Sequence, residues 1–136
     1  MKESTFWRSH LKPLLVKEGW LHERMAFNSV GQTDCFAFKN GVFIGIELKS
    51  LTAKTIDGCF AELKRKHTPI QQRWRDKIVK AGGMHYLMGT DRKRRTFCQI
   101  TLKEARLNMT RQYTESVGLP LEYYFCTVPF PLKQGL

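Results

Sequence analysis

Long apolar runs are missing from this chain. The first sixteen residues hold only Leu14-Leu15-Val16 as a continuous one, too short for a signal-peptide core, and no stretch approaches membrane-spanning length. The expectation is a cytoplasmic protein with no membrane partner. Paired cysteines are missing too. Cys35, Cys59, Cys98 and Cys126 are spread out with no C-x-x-C spacing, which argues against a zinc site and against a disulfide framework. Buried free thiols are expected instead. Acidic residues are scarce: 12 Asp plus Glu stand against 23 Lys plus Arg, a formal charge of +11. A compact domain this basic seeks a polyanion, nucleic acid first and an anionic membrane second. No internal repeat or low-complexity segment is present, and nothing resembles a base-reading helix.

What is there is ordinary globular material. The chain has 136 residues, 42% hydrophobic and 12% aromatic, which fits one domain with one core over 1–136 and excludes a disordered chain. Residues 4–18 read as a helix, with Ser4 or Thr5 as cap, Phe6, Trp7, His10, Leu11, Leu14 and Leu15 near a 3.6 period, and Gly19 to end it. Pro13 predicts a kink, or a second short helix starting there. Residues 22–28 read as a first strand, and residues 50–67 as a long basic loop with one helical turn near 60–63. Thr68-Pro69-Ile70-Gln71 carries a full set of helix-start signals: N-cap, Pro at N1, and Gln at N3 to close a capping box. Ile70, Trp74, Ile78 and Ala81 form the predicted buried stripe, with Gly82-Gly83 as terminator. Strands follow over 84–89 and 96–100, joined by the turn Asp91-Arg92-Lys93-Arg94. A helix over 102–117, capped by Thr101, and a tail over 121–128 adding an edge strand or reaching a partner subunit complete the reading. The order predicts an α/β sandwich with a mixed sheet.

The chemistry concentrates in residues 33–50. Two aromatic and β-branched runs flank Asn40-Gly41, the strongest short hairpin signal, because a type I′ turn needs positive φ at both central positions. A two-residue turn sets Lys39 against Val42 and Phe38 against Phe43, and continuing that register sets Asp34 against Glu47. Opposed residues share a face, with Cβ atoms about 4.5–5.5 Å apart, and Lys49 projects from the same face. Two carboxylates so placed repel unless something binds them, and Mg²⁺ takes carboxylate oxygens while keeping several waters. A lysine beside the metal would orient or deprotonate water, or stabilise charge on a phosphate. The plain alternative is a Glu47–Lys49 ion pair with Asp34 and Lys49 as solvated strand-end residues.

The motifs G-Q-T-D (31–34), I-E-L-K (46–49), T-P-I-Q-Q-R-W (68–74) and A-G-G (81–83) resemble the VRR-NUC group of PD-(D/E)xK nucleases. The start E-S-T-F-W (3–7) and residues 23–28 resemble small phage-encoded, stand-alone members. The resemblance covers roughly residues 3–90, and its motifs stand in the family's order and spacing. It implies an α/β fold with a restriction-endonuclease-like core (about 3–100, with a C-terminal helix and tail over 101–136). It implies a Mg²⁺- or Mn²⁺-dependent endonuclease for branched DNA such as Holliday junctions, acting as a homodimer in a bacterial host cytoplasm. Asp34 and Glu47 would be metal ligands with the Leu48 carbonyl, Lys49 the catalytic lysine, and Gln71 the helix glutamine reaching the site. The family's first-helix acid would be Glu3, with Glu18 and Glu23 as alternatives. Thr33 stands where the family has a proline, which stiffens the backbone but supplies no ligand.

Beside that resemblance, Gln71 is equally explained by capping, and Trp74 by core packing rather than base stacking. His67 and His85 are proton-transfer candidates or satisfied histidines. Lys64, Arg65, Lys66, Arg73, Arg75, Lys77 and Lys80 make the candidate DNA surface, joined by Lys54 and by Arg92, Lys93 and Arg94 as a basic clamp. Recognition is then of shape and backbone, and the rival to a nuclease is a non-catalytic accessory protein for junctions or ends.

Overall fold

The computed structural model describes residues 1–25, 33–104, 109–112, 116–117 and 120–125. Among these residues one seven-stranded sheet runs in the order β1-β2-β3-β4-β5-β6, with β7 also paired to β5. The strands are β1 (Leu21–Arg24), β2 (Cys35–Lys39), β3 (Val42–Ser50), β4 (Met84–Thr90), β5 (Thr96–Glu104), β6 (Met109–Gln112) and β7 (Ser116–Val117). The pair β3–β4 is parallel and the others antiparallel, so the sheet is mixed and the fold α/β. No helix among the described residues is long and apolar enough to cross a membrane.

The hairpin forms as its turn residues dictate. Asn40 and Gly41 take φ of 51° and 80°, and the register runs from Lys39↔Val42 to Cys35↔Ile46. A parallel neighbour for β3 demands a crossover, and the chain supplies two helices there, α3 (Ile56–Lys66) and α4 (Pro69–Lys80). They cover one face of the sheet. The other face packs against the N-terminal helical segment and the 3₁₀ turn Leu121–Tyr124.

That N-terminal segment runs as α1 (Glu3–Phe6), a π-helical stretch (Trp7–Leu11) and α2 (Lys12–Lys17). Its cap residue is Lys2, without a side-chain cap bond, so neither Ser4 nor Thr5 caps it. The Lys12 amide bonds the Trp7 carbonyl, an i→i−5 bond. Pro13 has no amide and would crowd the preceding turn, and widening that turn accommodates it without a break. Gly19 closes the helix at φ 77°, with Trp20 N–H bonding Leu15 O at 2.9 Å.

Two expected elements are different. The described residues of the expected 102–117 helix are strand instead, and Thr101 does not cap a helix. Thr101–Glu104 continue β5, pair with β6, and Leu102 lies opposite Met84. The full-length ladder with β4 outweighs a 3.6-residue pattern that Thr and Leu satisfy equally well in a strand. The long basic loop is α3 over most of its length, capped by Thr55, whose hydroxyl accepts from Gly58 N–H at 3.0 Å. Its inward face is Cys59, Glu62 and Leu63, and a buried glutamate hid the apolar period. Smaller differences follow. In α4 the buried residue is Val79, while Ile70, Trp74 and Ile78 are half-buried and Ala81 is exposed. The predicted first strand is β1, and its remainder (26–28) lies outside the described residues, as does Cys126. The expected edge strand over 121–128 is a 3₁₀ turn as far as it is described, with Tyr124 and Phe125 buried. Cys35, Cys59 and Cys98 are buried free thiols, and burial pushes those of Cys35 and Cys98 well up.

Candidate metal-binding and catalytic site

β2 stops pairing at Cys35↔Ile46, and Asp34 sits just past that pair. There its carboxylate does what a strand residue would have done. Asp34 Oδ2 accepts the Leu48 amide at 2.9 Å, completing the exposed side of β3. The amide and carbonyl of one strand residue point the same way, so the Leu48 carbonyl faces the same opening. Glu47 lies on the α3/α4 face and is only 1% exposed. Burial first, then the negative charge of Asp34, push its carboxyl up to about 8.

Two groups steady that carboxyl. Gln71 Nε2 donates to Glu47 Oε1 at 2.6 Å, and the Lys49 ammonium stands 3.5 Å from the same oxygen. Lys49 also donates to Gln71 Oε1 at 3.1 Å. The Gln71 oxygen accepts the Thr68 amide at 2.9 Å, while Thr68 Oγ1 accepts the Gln71 amide at 3.2 Å. The capping box is thus complete, and the same side chain spans the helix cap and the Glu47–Lys49 pair. Capping and site roles coexist in one residue.

Glu3 enters from the opposite layer as the first residue of α1. Burial raises its pKa, as does the charge of Asp34, while Lys49, Arg24 and Lys66 pull it down. Glu18 instead ends α2, and Glu23 is an exposed β1 residue opposite Phe36. Among the three acids, Glu3 is the one this site feels. An open groove of about 380 Å³ lined by Lys2, Glu3, Ser4, Arg24 and Ser50 leads past it.

The donors Asp34, Glu47 and the Leu48 carbonyl are all oxygen, a set that suits a hard divalent cation. Among the described residues no group of three or more His, Cys, Asp or Glu is placed to hold a metal. A cation bound here would therefore keep several waters, as Mg²⁺ does.

Most of the candidate DNA-contacting residues lie on the α3/α4 layer. Lys64 and Arg65 on α3 and Arg73, Lys77 and Lys80 on α4 are exposed, as is Lys54 before α3. Lys66 is partly occupied: it bonds Glu62 at 2.8 Å and the Ser50 carbonyl at 2.8 Å. Arg75 pairs with its neighbour Asp76. Arg92, Lys93 and Arg94 are exposed at the β4–β5 turn, at the end of the sheet where Ser50 faces Thr90. That turn is braced by Asp91, which accepts from the Lys93 and Arg95 amides and pairs with the Arg95 guanidinium at 2.7 Å.

One residue, Glu62, and one pairing, that of His67 with His85, escaped the sequence reading. Glu62, 4% exposed, accepts from the Thr52 and Ala53 amides at 2.8 and 2.9 Å and so anchors the chain leaving β3. Its i,i+4 spacing to Lys66 was the available signal. The rings of His67 and His85 stack at 5.6 Å, both buried, and among the described residues His67 Nε2 and His85 Nδ1 have no hydrogen-bond partner. Burial lowers their pKa values to about 4 and about 3, so both are neutral at pH 7. Comparison with protein-family models, with curated proteins and with solved structures finds no match for this chain.

Proposed function

We propose that this chain is a metal-dependent, structure-selective DNA endonuclease with a restriction-endonuclease-like core, of the VRR-NUC kind that its motifs resemble. The reading is carried by one observation: Asp34 and the buried Glu47 come together at the end of the β2–β3 ladder, Asp34 held by the Leu48 amide and Glu47 by Lys49 and Gln71. Carboxylates held against their own repulsion suit a cation better than they suit a fold. Asp34, Glu47 and the Leu48 carbonyl would hold Mg²⁺ or Mn²⁺. Such an ion polarises the phosphate and lowers the pKa of its bound water.

The chain's own groups do the rest. The Leu48 amide fixes Asp34, and Gln71 fixes both Glu47 and Lys49, so the donor set needs little rearrangement to act. Lys49 holds the attacking water or meets negative charge on the phosphate. Glu3 limits the approach to the groove. The cations of α3, α4 and the 92–94 turn grip the backbone of branched DNA, giving an affinity that falls steeply with salt. A homodimer would present two sites and cut two strands.

The rival, a non-catalytic accessory protein for junctions or ends, needs only the basic surface. A nicking assay on branched and linear DNA with Mg²⁺ or Mn²⁺ separates them. Wild type should cut, and Lys49→Ala should cut about 100-fold more slowly or less while binding as well. If both proteins bind alike and neither cuts with either metal, the accessory reading stands.

A further inference from the structure

The hairpin face that carries Asp34 and Glu47 continues into an apolar pocket. Phe36 and Phe43 stack at 5.5 Å and 21° on that face, and Met25, Thr33, Trp74 and Ile78 close a cavity of about 180 Å³ with them. Gly45 makes the closure possible. It lies between Phe43 and Glu47 on the same face of β3, and a Cβ there would come within 2.6 Å of Ile78 Cδ1. The missing side chain lets α4 lie low over the hairpin. Trp74 is half-buried, with the Lys77 ammonium 4.9 Å from its ring centroid. Phe36 is two residues along β2 from Asp34, roughly 7 Å at about 3.3 Å per residue.

We infer that this pocket receives one unstacked nucleobase next to the cleaved phosphodiester, so that the substrate is nucleic acid with an unpaired nucleotide at the site. An apolar, aromatic slot suits the flat face of any base, and stacking of this kind is sequence-tolerant. Its rim supplies charge of the matching sign. Lys77 sits over Trp74, and exposed Arg73 and Lys80 lie on the same helix, cations for the phosphates flanking the held base. A duplex interior offers no free base, whereas a flap, a single-stranded end or a junction with unpaired nucleotides does. Structure selectivity then needs no base-reading element. This inference rests on the nucleic-acid part of the function proposed above and gives that site its substrate class.

The test is binding in EDTA, where no cutting occurs, using a single strand and a duplex of equal length that carry 2-aminopurine. Trp7 and Trp20 are buried in the opposite layer, so strand-dependent quenching of tryptophan emission reports Trp74. We expect the single strand to quench Trp74 and to have its own 2-aminopurine emission quenched, and the duplex to do neither. Trp74→Leu keeps an apolar filler without the aromatic face. It should weaken strand binding about tenfold more than duplex binding, and Trp74→Phe should restore most of the loss. Equal losses on strand and duplex, or no quenching with wild-type protein, overturn the inference; the wild-type measurement needs no variant to fold. The two readings fail separately. Quenching without cleavage in any metal sinks the nuclease and keeps the pocket, whereas cleavage with Trp74→Leu indistinguishable from wild type does the reverse.

Discussion

The two faces of the sheet are built on opposite principles. The face toward the N-terminal helix is dry: Cys35, Ala37, Ile44, Ile46, Leu48, Met88, Cys98, Ile100 and Leu102 meet Leu11, Leu14, Leu15, Trp20 and Phe125. Its polar groups are satisfied at the margin, Tyr86 Oη donating to the Tyr124 carbonyl at 2.7 Å and Trp20 to that of Phe125 at 3.3 Å. The face under α3 and α4 has a small apolar cluster of Leu51, Cys59, Leu63, Leu87 and Phe97. Around that cluster lie buried Glu47, Glu62, His67, His85, Gln99 and Thr101. Three of the four buried polar atoms without partners among the described residues are on this side: Thr33 Oγ1, His67 Nε2 and His85 Nδ1. Burying such groups costs free energy that apolar packing would not. The division teaches that one face supplies stability, while the other gives some of it up to hold charge in place.

Glu47→Gln tests the division hardest. It keeps the shape and removes the repulsion with Asp34, so cleavage should fall on the order of 10³-fold while the melting temperature rises by a few degrees. Kinetics and a thermal melt on the same preparation check both. A large loss of stability would mean that Glu47 belongs to the fold. Leu15→Ala on the dry face should do the opposite. Leu15 is fully buried, and its truncation should cost about 2–5 kcal/mol with cleavage per folded molecule unchanged, read by chemical denaturation and by active-site titration.

The faces should also part in acid. Glu62 is pushed up by burial, but bonds from Lys66, Ala53 and Thr52 outweigh this and bring its pKa to about 2. Its folded value lies below its unfolded one, so its contribution is complete above about pH 4.5 and is lost as pH falls towards 2. His67 and His85 act earlier, losing their contribution as pH falls from about 6.5 towards 4 and 3. Wild type should therefore lose melting temperature more steeply between pH 4.5 and 2 than Glu62→Gln does, with both declining alike between pH 6.5 and 5.

How much of this was legible in the residues depends on the range of the interaction that decides each element. Asn40-Gly41 fixes its own turn, and from it the register that brings Asp34 to Glu47 follows by counting. Thr68-Pro69 and Gln71 likewise fix the start of α4. Both signals act within four residues. The extension of β5 through Thr101–Glu104 is decided by β4 and β6, elements distant in sequence, and its local pattern fits helix as well as strand. α3 was hidden because its inward face includes Glu62, whose partners Thr52 and Ala53 lie outside the helix. The link from Gln71 to Glu47 spans 24 residues and reads locally only as a cap. The candidate site was visible as residue types, with Gln71 assigned to it only through the resemblance and the Glu47–Lys49 pair only as the plain alternative; that one glutamine joins the helix cap to both Glu47 and Lys49 was not visible.

That bracing offers the smallest and most discriminating contrast, because Thr68 and Gln71 share a cap and only Gln71 reaches the acids. Thr68→Ala removes the hydroxyl that accepts the Gln71 amide, and loss of such a cap costs about 1 kcal/mol. Gln71→Glu keeps a residue that closes capping boxes well, so the helix cap itself is preserved. It replaces the amide that donates to Glu47 Oε1 with a third acid beside Asp34 and Glu47. Two outcomes then separate. If Gln71 serves the helix alone, Thr68→Ala is the worse substitution by every measure. If it holds Glu47 and Lys49 for chemistry, Thr68→Ala lowers the denaturation midpoint with a modest loss of cleavage per folded molecule, whereas Gln71→Glu loses most of the cleavage per folded molecule.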